Sequence, residues 1–111
     1  MCVNEINPIM QGTTPAFYFN LPSYMQTSLL TDLCVSFAQR NKPLLEKHLS
    51  DATITGERQF KIKLTQTETL GFRANDFVTI QVRILYNGED AFATMQYKAK
   101  VYPAQCKEVL D

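Results

Sequence analysis

Charge of a single sign is missing from this chain. Eleven Lys and Arg residues stand against eleven Asp and Glu, so no one-sided field exists to hold a nucleic-acid backbone or an anionic membrane surface. Neither partner is expected. Cysteine is scarce, and Cys2, Cys34 and Cys106 form an odd set without C-x-x-C spacing, which suits neither a disulfide framework nor a zinc site. Reduced thiols are the expectation, with Cys34 a small buried hydrophobe in an apolar run. A Cys2–Cys106 bridge stays open. No metal site and no cofactor are implied.

Long hydrophobic runs are also lacking. Nothing approaches the roughly 20 apolar residues that span a bilayer, and the opening Met-Cys-Val-Asn-Glu-Ile has neither the basic cluster nor the apolar core of a signal peptide. A soluble chain made in the cytoplasm is expected. Histidine occurs once, as His48. A Ser-His-Asp arrangement would use it with Ser50 and Asp51, yet neighbours along a strand point in different directions and no nucleophile elbow is present. His48 therefore reads as a solvated strand residue. Asp51, Glu57, Glu68, Asp76, Glu89 and Asp90 fall on turns, where capping accounts for them. Glu89-Asp90 lacks the spaced ligands of an EF-hand loop. No glycine-rich loop cradles a phosphate, and no catalytic residue is assigned. The chain is not expected to be an enzyme.

What is present is strand period. With 111 residues, 45% hydrophobic and 20% charged, the chain fits one domain with one core. In the stretch 76–102, Val78, Ile80, Val82 and Ile84 alternate with Thr79, Gln81 and Arg83, as in a half-buried strand. Asn87-Gly88 then joins a second arm, with Ala91, Ala93, Met95, Tyr97, Ala99 and Val101 expected on one face. Upstream, Phe17, Phe19 and Leu21 alternate from Thr14 onward, with Pro15 placing that strand at a sheet edge. Residues 23–32 read as a loop. Leu33, Val35 and Phe37 make a second strand, Asn41-Lys42-Pro43 a turn, 44–49 a third strand and 51–54 a short fourth. Gly56 reverses the chain before Phe60, Ile62 and Leu64. Thr65-Gln66-Thr67-Glu68 is a capping box for one helical turn near 66–70.

About seven strands with one short helical turn predict an all-β fold, an immunoglobulin-like antiparallel β-sandwich over 1–111. Residues 1–12 read as an irregular arm and 103–111 as a tail. The core is expected from Phe17, Phe19, Leu33, Val35, Phe37, Phe60, Ile62, Leu64, Val78, Ile80, Val82 and Ile84. The hairpin's second arm is expected to leave an edge open to another chain. Tyr18, Tyr24, Tyr86, Tyr97 and Tyr102, with Phe72 and Phe92, suit a core or interface, or a face for stacking sugars. No pocket suited to a reaction is expected.

The pattern as a whole resembles small β-sandwich proteins of phages infecting Gram-positive bacteria, above all the N-terminal module of baseplate upper proteins. The similarity runs from Gln11-Gly12-Thr13-Thr14-Pro15 with Phe17, Phe19 and Leu21, through Leu33-Cys34-Val35-Ser36-Phe37 and Asp51-Ala52-Thr53-Ile54. It continues over Lys63-Leu64-Thr65-Gln66-Thr67-Glu68 to Ala91-Phe92-Ala93-Thr94, and covers roughly residues 9–102. Asn75-Asp76 stands where the family often has Pro-Gly or Gly. The family module usually precedes a longer stalk, whereas this chain stops at Asp111, so an adaptor role suits it as well as attachment. The resemblance implies a tail or baseplate component, located in the virion after synthesis in the host cytoplasm. Its partners would be copies of itself or neighbouring tail subunits, with carbohydrate as the alternative ligand.

Overall fold

The computed structural model describes residues 4–5, 7–94 and 96–111, with the backbone alone for 4 and 5. Cys2, Met95 and the Cys2–Cys106 pairing lie outside the described residues. The strands are β1 (Asn4–Glu5), β2 (Ile9–Met10), β3 (Ala16–Asn20), β4 (Leu30–Gln39), β5 (Lys42–His48), β6 (Ala52–Gly56), β7 (Gln59–Lys63), β8 (Phe77–Tyr86), β9 (Asp90–Ala93) and β10 (Tyr97–Tyr102), with helix α1 at Gln66–Leu70. Two sheets result. The larger runs β1-β10-β8-β4-β5, with β2 also on β10 and β9 on β8, and the smaller runs β3-β7-β6.

The alternating residues dictate which face of each strand turns inward. Leu33, Val35 and Phe37 of β4, with Val78, Ile80, Val82 and Ile84 of β8, meet Phe60, Ile62 and Leu64 from β7 and the residue after it; all are buried. Phe17 and Phe19 of β3 are only half-buried and pack at the margin of this cluster, contrary to their expected place in the core. The reason is position, because β3 ends its sheet and has one neighbour instead of two. Ile9, Met25, Leu30, Phe72, Ala99 and Val101 complete the buried set.

Where the expected and observed chain paths differ, local geometry explains each case. Residues 1–12 are not irregular throughout: β1 and β2 pair parallel with β10, Asn4 opposite Tyr97 and Ile9 opposite Val101. The same contact closes the edge that β10 was expected to leave open. A 3-10 turn at Thr27–Leu29 interrupts the loop before β4. The β4–β5 turn is Arg40-Asn41, with φ of 52° and 63°, so Lys42 and Pro43 already belong to β5 and pair with Gln39 and Ala38. Proline is admissible there because β5 is an edge strand and the ladder shifts register beside it.

The hairpin after β8 forms around Asn87 and Gly88, at φ of 55° and 72°, but its second arm does not keep one face. Arg83 faces Ala93, whereas Ile80 faces Tyr97, although an unbroken register would bring Gln96 opposite Ile80. The one-residue offset is a bulge, and a slip by one residue exchanges faces. Ala91 and Ala93 therefore share the outer face with Leu85 and Arg83, while Phe92 turns inward beside Ile84. Thr94 holds the offset, its amide donating to the Val82 carbonyl (2.8 Å) and its hydroxyl accepting from the Val82 amide (3.0 Å).

α1 crosses between the sheets as the capping box requires: the Thr65 Oγ1 accepts from the Glu68 amide (3.2 Å) and the Glu68 carboxylate from the Thr65 amide (2.8 Å). Asn75, at φ 63°, supplies the left-handed residue that leads into β8, a conformation asparagine tolerates better than most. Buried amides tie this end together. Gln39 donates to the Arg73 carbonyl (2.9 Å) and accepts from the Arg73 amide (2.7 Å). Gln11 donates to the Phe72 carbonyl (2.7 Å) and accepts from Ala104 (3.2 Å) and Lys107. The tail after Tyr102 is further held by Gln66, which exchanges two hydrogen bonds with the Leu110 backbone.

Candidate functional site

The opposite margin of the sandwich is open. Among the described residues β3 pairs with β7 and with no strand on its other side, so alternate backbone N–H and C=O groups of Ala16–Asn20 lack a ladder partner there. Beyond that edge the two sheets separate into a groove of about 900 Å³. Ile80, Val82, Ile84 and Phe60 form its floor, Phe17 and Phe19 one wall, and Phe92 and Tyr97 the other. The hairpin register brings Phe92 to the groove by pairing it with Ile84, and the later offset brings Tyr97 to the same face.

Not one lining residue is charged. The cause is legible in the chain: residues 6–31 contain no Asp, Glu, Lys, Arg or His. That run spans β2, β3 and the loop carrying Tyr24 and Met25. An absence of charge leaves no mark on the alternation of apolar residues. Among the described lining residues none carries a group that readily moves a proton at neutral pH.

Other residues considered from the sequence lie elsewhere. His48 is exposed on β5, as expected, and Asp51 serves the turn after it, its carboxylate accepting from the His48 backbone amide at 3.0 Å. Ser50 lies in the same 3-10 turn, Leu49–Asp51. Cys34 is half-buried on β4 instead of enclosed, and Cys106 is exposed. Glu68 binds Lys47 at 2.6 Å. Burial would raise its pKa, but the Lys47 hydrogen bond and the Thr65 amide outweigh this and hold the carboxyl below the ordinary range. Asp76 is held low by the Arg40 guanidinium at 2.8 Å and by the Phe77 amide. Glu57 and Glu89 sit in turns, and Asp90 opens β9. The structure brings these carboxylates to no common cleft.

The aromatic side chains divide. Phe72 is buried, and Tyr86 is half-buried with its hydroxyl accepting from the Gln26 amide (3.1 Å). Tyr18 and Tyr24, at 56% and 73% exposure, rim the groove, while Tyr102, 43% exposed, lies outside its lining. The ring pairs found among the described residues are Phe17–Phe37, Phe19–Phe60 and Phe37–Phe72. No tyrosine takes part in one.

A scan against models of protein families finds no match, and neither does a comparison with curated proteins. Among solved structures, the chain is similar to an immunoglobulin-like domain of mouse leukocyte-associated immunoglobulin-like receptor 1, crystallised as a strand-swapped dimer. The identity is 11%, coverage 88% of each chain, and the TM-score 0.52. It is also similar to the titin M3 domain, at 10% identity, covering 90% of this chain and 91% of that one, with a TM-score of 0.50. At such identities the likeness concerns backbone alone. The disulfide of antibody domains joins two strands across the sandwich beside a tryptophan, but this sequence has no tryptophan and neither β3 nor β8 holds a cysteine. Phe17 of β3 and Phe37 of β4, with ring centroids 5.8 Å apart, make contact between the two sheets. Sheet order, crossing helix and fold neighbours together establish an immunoglobulin-like β-sandwich.

Proposed function

We propose that this chain is a non-enzymatic assembly module of a phage or prophage particle, a tail or baseplate component that acts through protein–protein contacts. The phage setting, and with it location in the virion after synthesis in the host cytoplasm, follows from the resemblance carried by residues 9–102. The observation that supports the contact mechanism is the unpaired β3 edge above an uncharged groove. A free edge of this kind pairs with another strand by main-chain hydrogen bonds, with side-chain pockets setting register.

The occupant is a second copy of the chain, its β3 running antiparallel across a twofold axis. An isologous contact needs a surface that complements itself, and a charge-free strand on a chain of zero formal net charge meets its copy without repulsion. One fold neighbour was crystallised as a strand-swapped dimer.

Sedimentation equilibrium over micromolar to millimolar concentration tests this. The expected result is a dimer that Tyr18→Lys converts to monomer, because the substitution sets like charges across the twofold. A wild-type monomer throughout, or a dimer indifferent to Tyr18→Lys, overturns the β3 contact. The exposed rings of Tyr18 and Tyr24 at the groove rim favour one other reading, a carbohydrate-binding module. A monomer that binds glycans and loses them with Tyr24→Ala would establish it in place of the dimer.

A further inference from the structure

On the outer face of the larger sheet, away from the groove, strand register collects three side chains that no local motif connects. β4 and β5 run antiparallel with Cys34 opposite His48 and Ser36 opposite Glu46. Residues paired across strands share a face, as do residues two apart on one strand, so Cys34, Glu46 and His48 project to the same side. Each offers one ligand atom, and the thiol sulfur, imidazole nitrogen and carboxylate oxygen lie within 4.8 Å of one another. This is the one such group of three among the described residues.

We infer that Cys34, Glu46 and His48 form a binding site for a divalent transition-metal ion of the zinc type, with one coordination position left to solvent. The donor set selects the class. Thiolate, imidazole and carboxylate are the ligand types zinc takes, and three protein ligands with an open fourth position is an established arrangement. Calcium and magnesium take oxygen ligands and are excluded by the sulfur and nitrogen. The expectation that three scattered cysteines allow no such site rested on ligands close in sequence; here the ligands come from two strands.

The site is supported by rigid backbone and reachable by an ion. β4 is held between β5 and β8, which fixes Cys34, while Glu46 and His48 are exposed and free to adjust their rotamers. Burial and then the Glu46 carboxylate raise the thiol's pKa, as does Asp32, while Arg83, opposite Cys34 on β8, lowers it. A cation seated among the three reverses the effect of Glu46: the sulfur–hydrogen bond breaks, a sulfur–metal bond forms, and the proton leaves to water. No electron changes hands. Arg83, opposite Cys34 on β8, sets a like charge on the same face as the ion.

Cobalt(II) titration of the reduced full chain, followed by zinc competition, provides the test, because a thiolate–cobalt bond gives a near-ultraviolet charge-transfer band. The background carries Cys2→Ser and Cys106→Ser so that Cys34 is the only thiol. A saturable band that zinc abolishes is expected, lost in Cys34→Ser and weakened at least tenfold in affinity by His48→Gln and by Glu46→Gln. These positions face solvent, and circular dichroism checks that the sheet persists. Absence of the band in the background protein, or a band indifferent to both His48→Gln and Glu46→Gln, overturns the site.

Discussion

Two strands of this sandwich, β3 and β5, end their sheets in opposite ways. β5 begins Lys42-Pro43, abuts a register shift and turns Lys47 inward toward Glu68. Proline, bulges and inward charges are the devices that keep a foreign strand from pairing. β3 has none within its span: Ala16-Phe17-Tyr18-Phe19-Asn20 is uncharged, and so is the groove beside it. The difference separates an edge guarded against addition from one without such guards, on the two sheets of one sandwich.

Packing is where the two edges should differ most. If β3 flanks a binding groove instead of a finished core, truncations on the two sides differ in effect. Phe37→Ala, fully buried under the β4–β5 side, is expected to destabilise by ~3–5 kcal/mol. Phe19→Ala, half-buried on β3, should lose about half of that, since less of its area leaves water on folding. Urea unfolding measures both. Equal losses would mean that the β3 side is as complete as the other.

A smaller effect tests how firmly the guarded side is tied. Gln39→Leu leaves the Arg73 amide and carbonyl without their partners, and a loss of about 1–3 kcal/mol is expected in the same assay. A neutral substitution would show that this clamp is dispensable.

The smallest effect concerns Lys47. Its pair with Glu68 is partly solvated, so Lys47→Met should change stability by no more than about 1 kcal/mol at neutral pH. Its signature is the pH profile. Glu68 has a depressed folded-state pKa, so its contribution is complete above the unfolded carboxylate value of about 4.3 and disappears as pH falls through the folded value. In Lys47→Met this acid-range slope should flatten, and thermal melts from neutral to acid pH measure it. An unchanged profile would show that the Thr65 amide alone accounts for the depressed pKa. The same variant should associate more readily than wild type if Lys47 guards the edge.

The alternation of Phe60-Ile62-Leu64 and Val78 to Ile84 was readable because burial on one face imposes a period of two, and the Thr65–Glu68 box because capping is local. Ile9, Met25 and Phe72 could not be read this way, since they enter the core from short or irregular segments with no period. The bulge between Ala93 and Tyr97 was equally hidden, as one unpaired residue exchanges faces without altering composition. The groove and the Cys34–Glu46–His48 cluster depend on which strands are neighbours, a long-range property. The charge-free run 6–31 lay in view, yet it acquires meaning only once β3 is known to have an empty side.

One consequence follows from the parallel seating of β1 and β2 on β10. Tension applied between the chain's leading segment and the tail after Tyr102 pulls these strands past one another lengthwise, loading their backbone bonds together instead of opening them in turn. A subunit strung between neighbours through its two ends would meet mechanical strain in its most resistant direction.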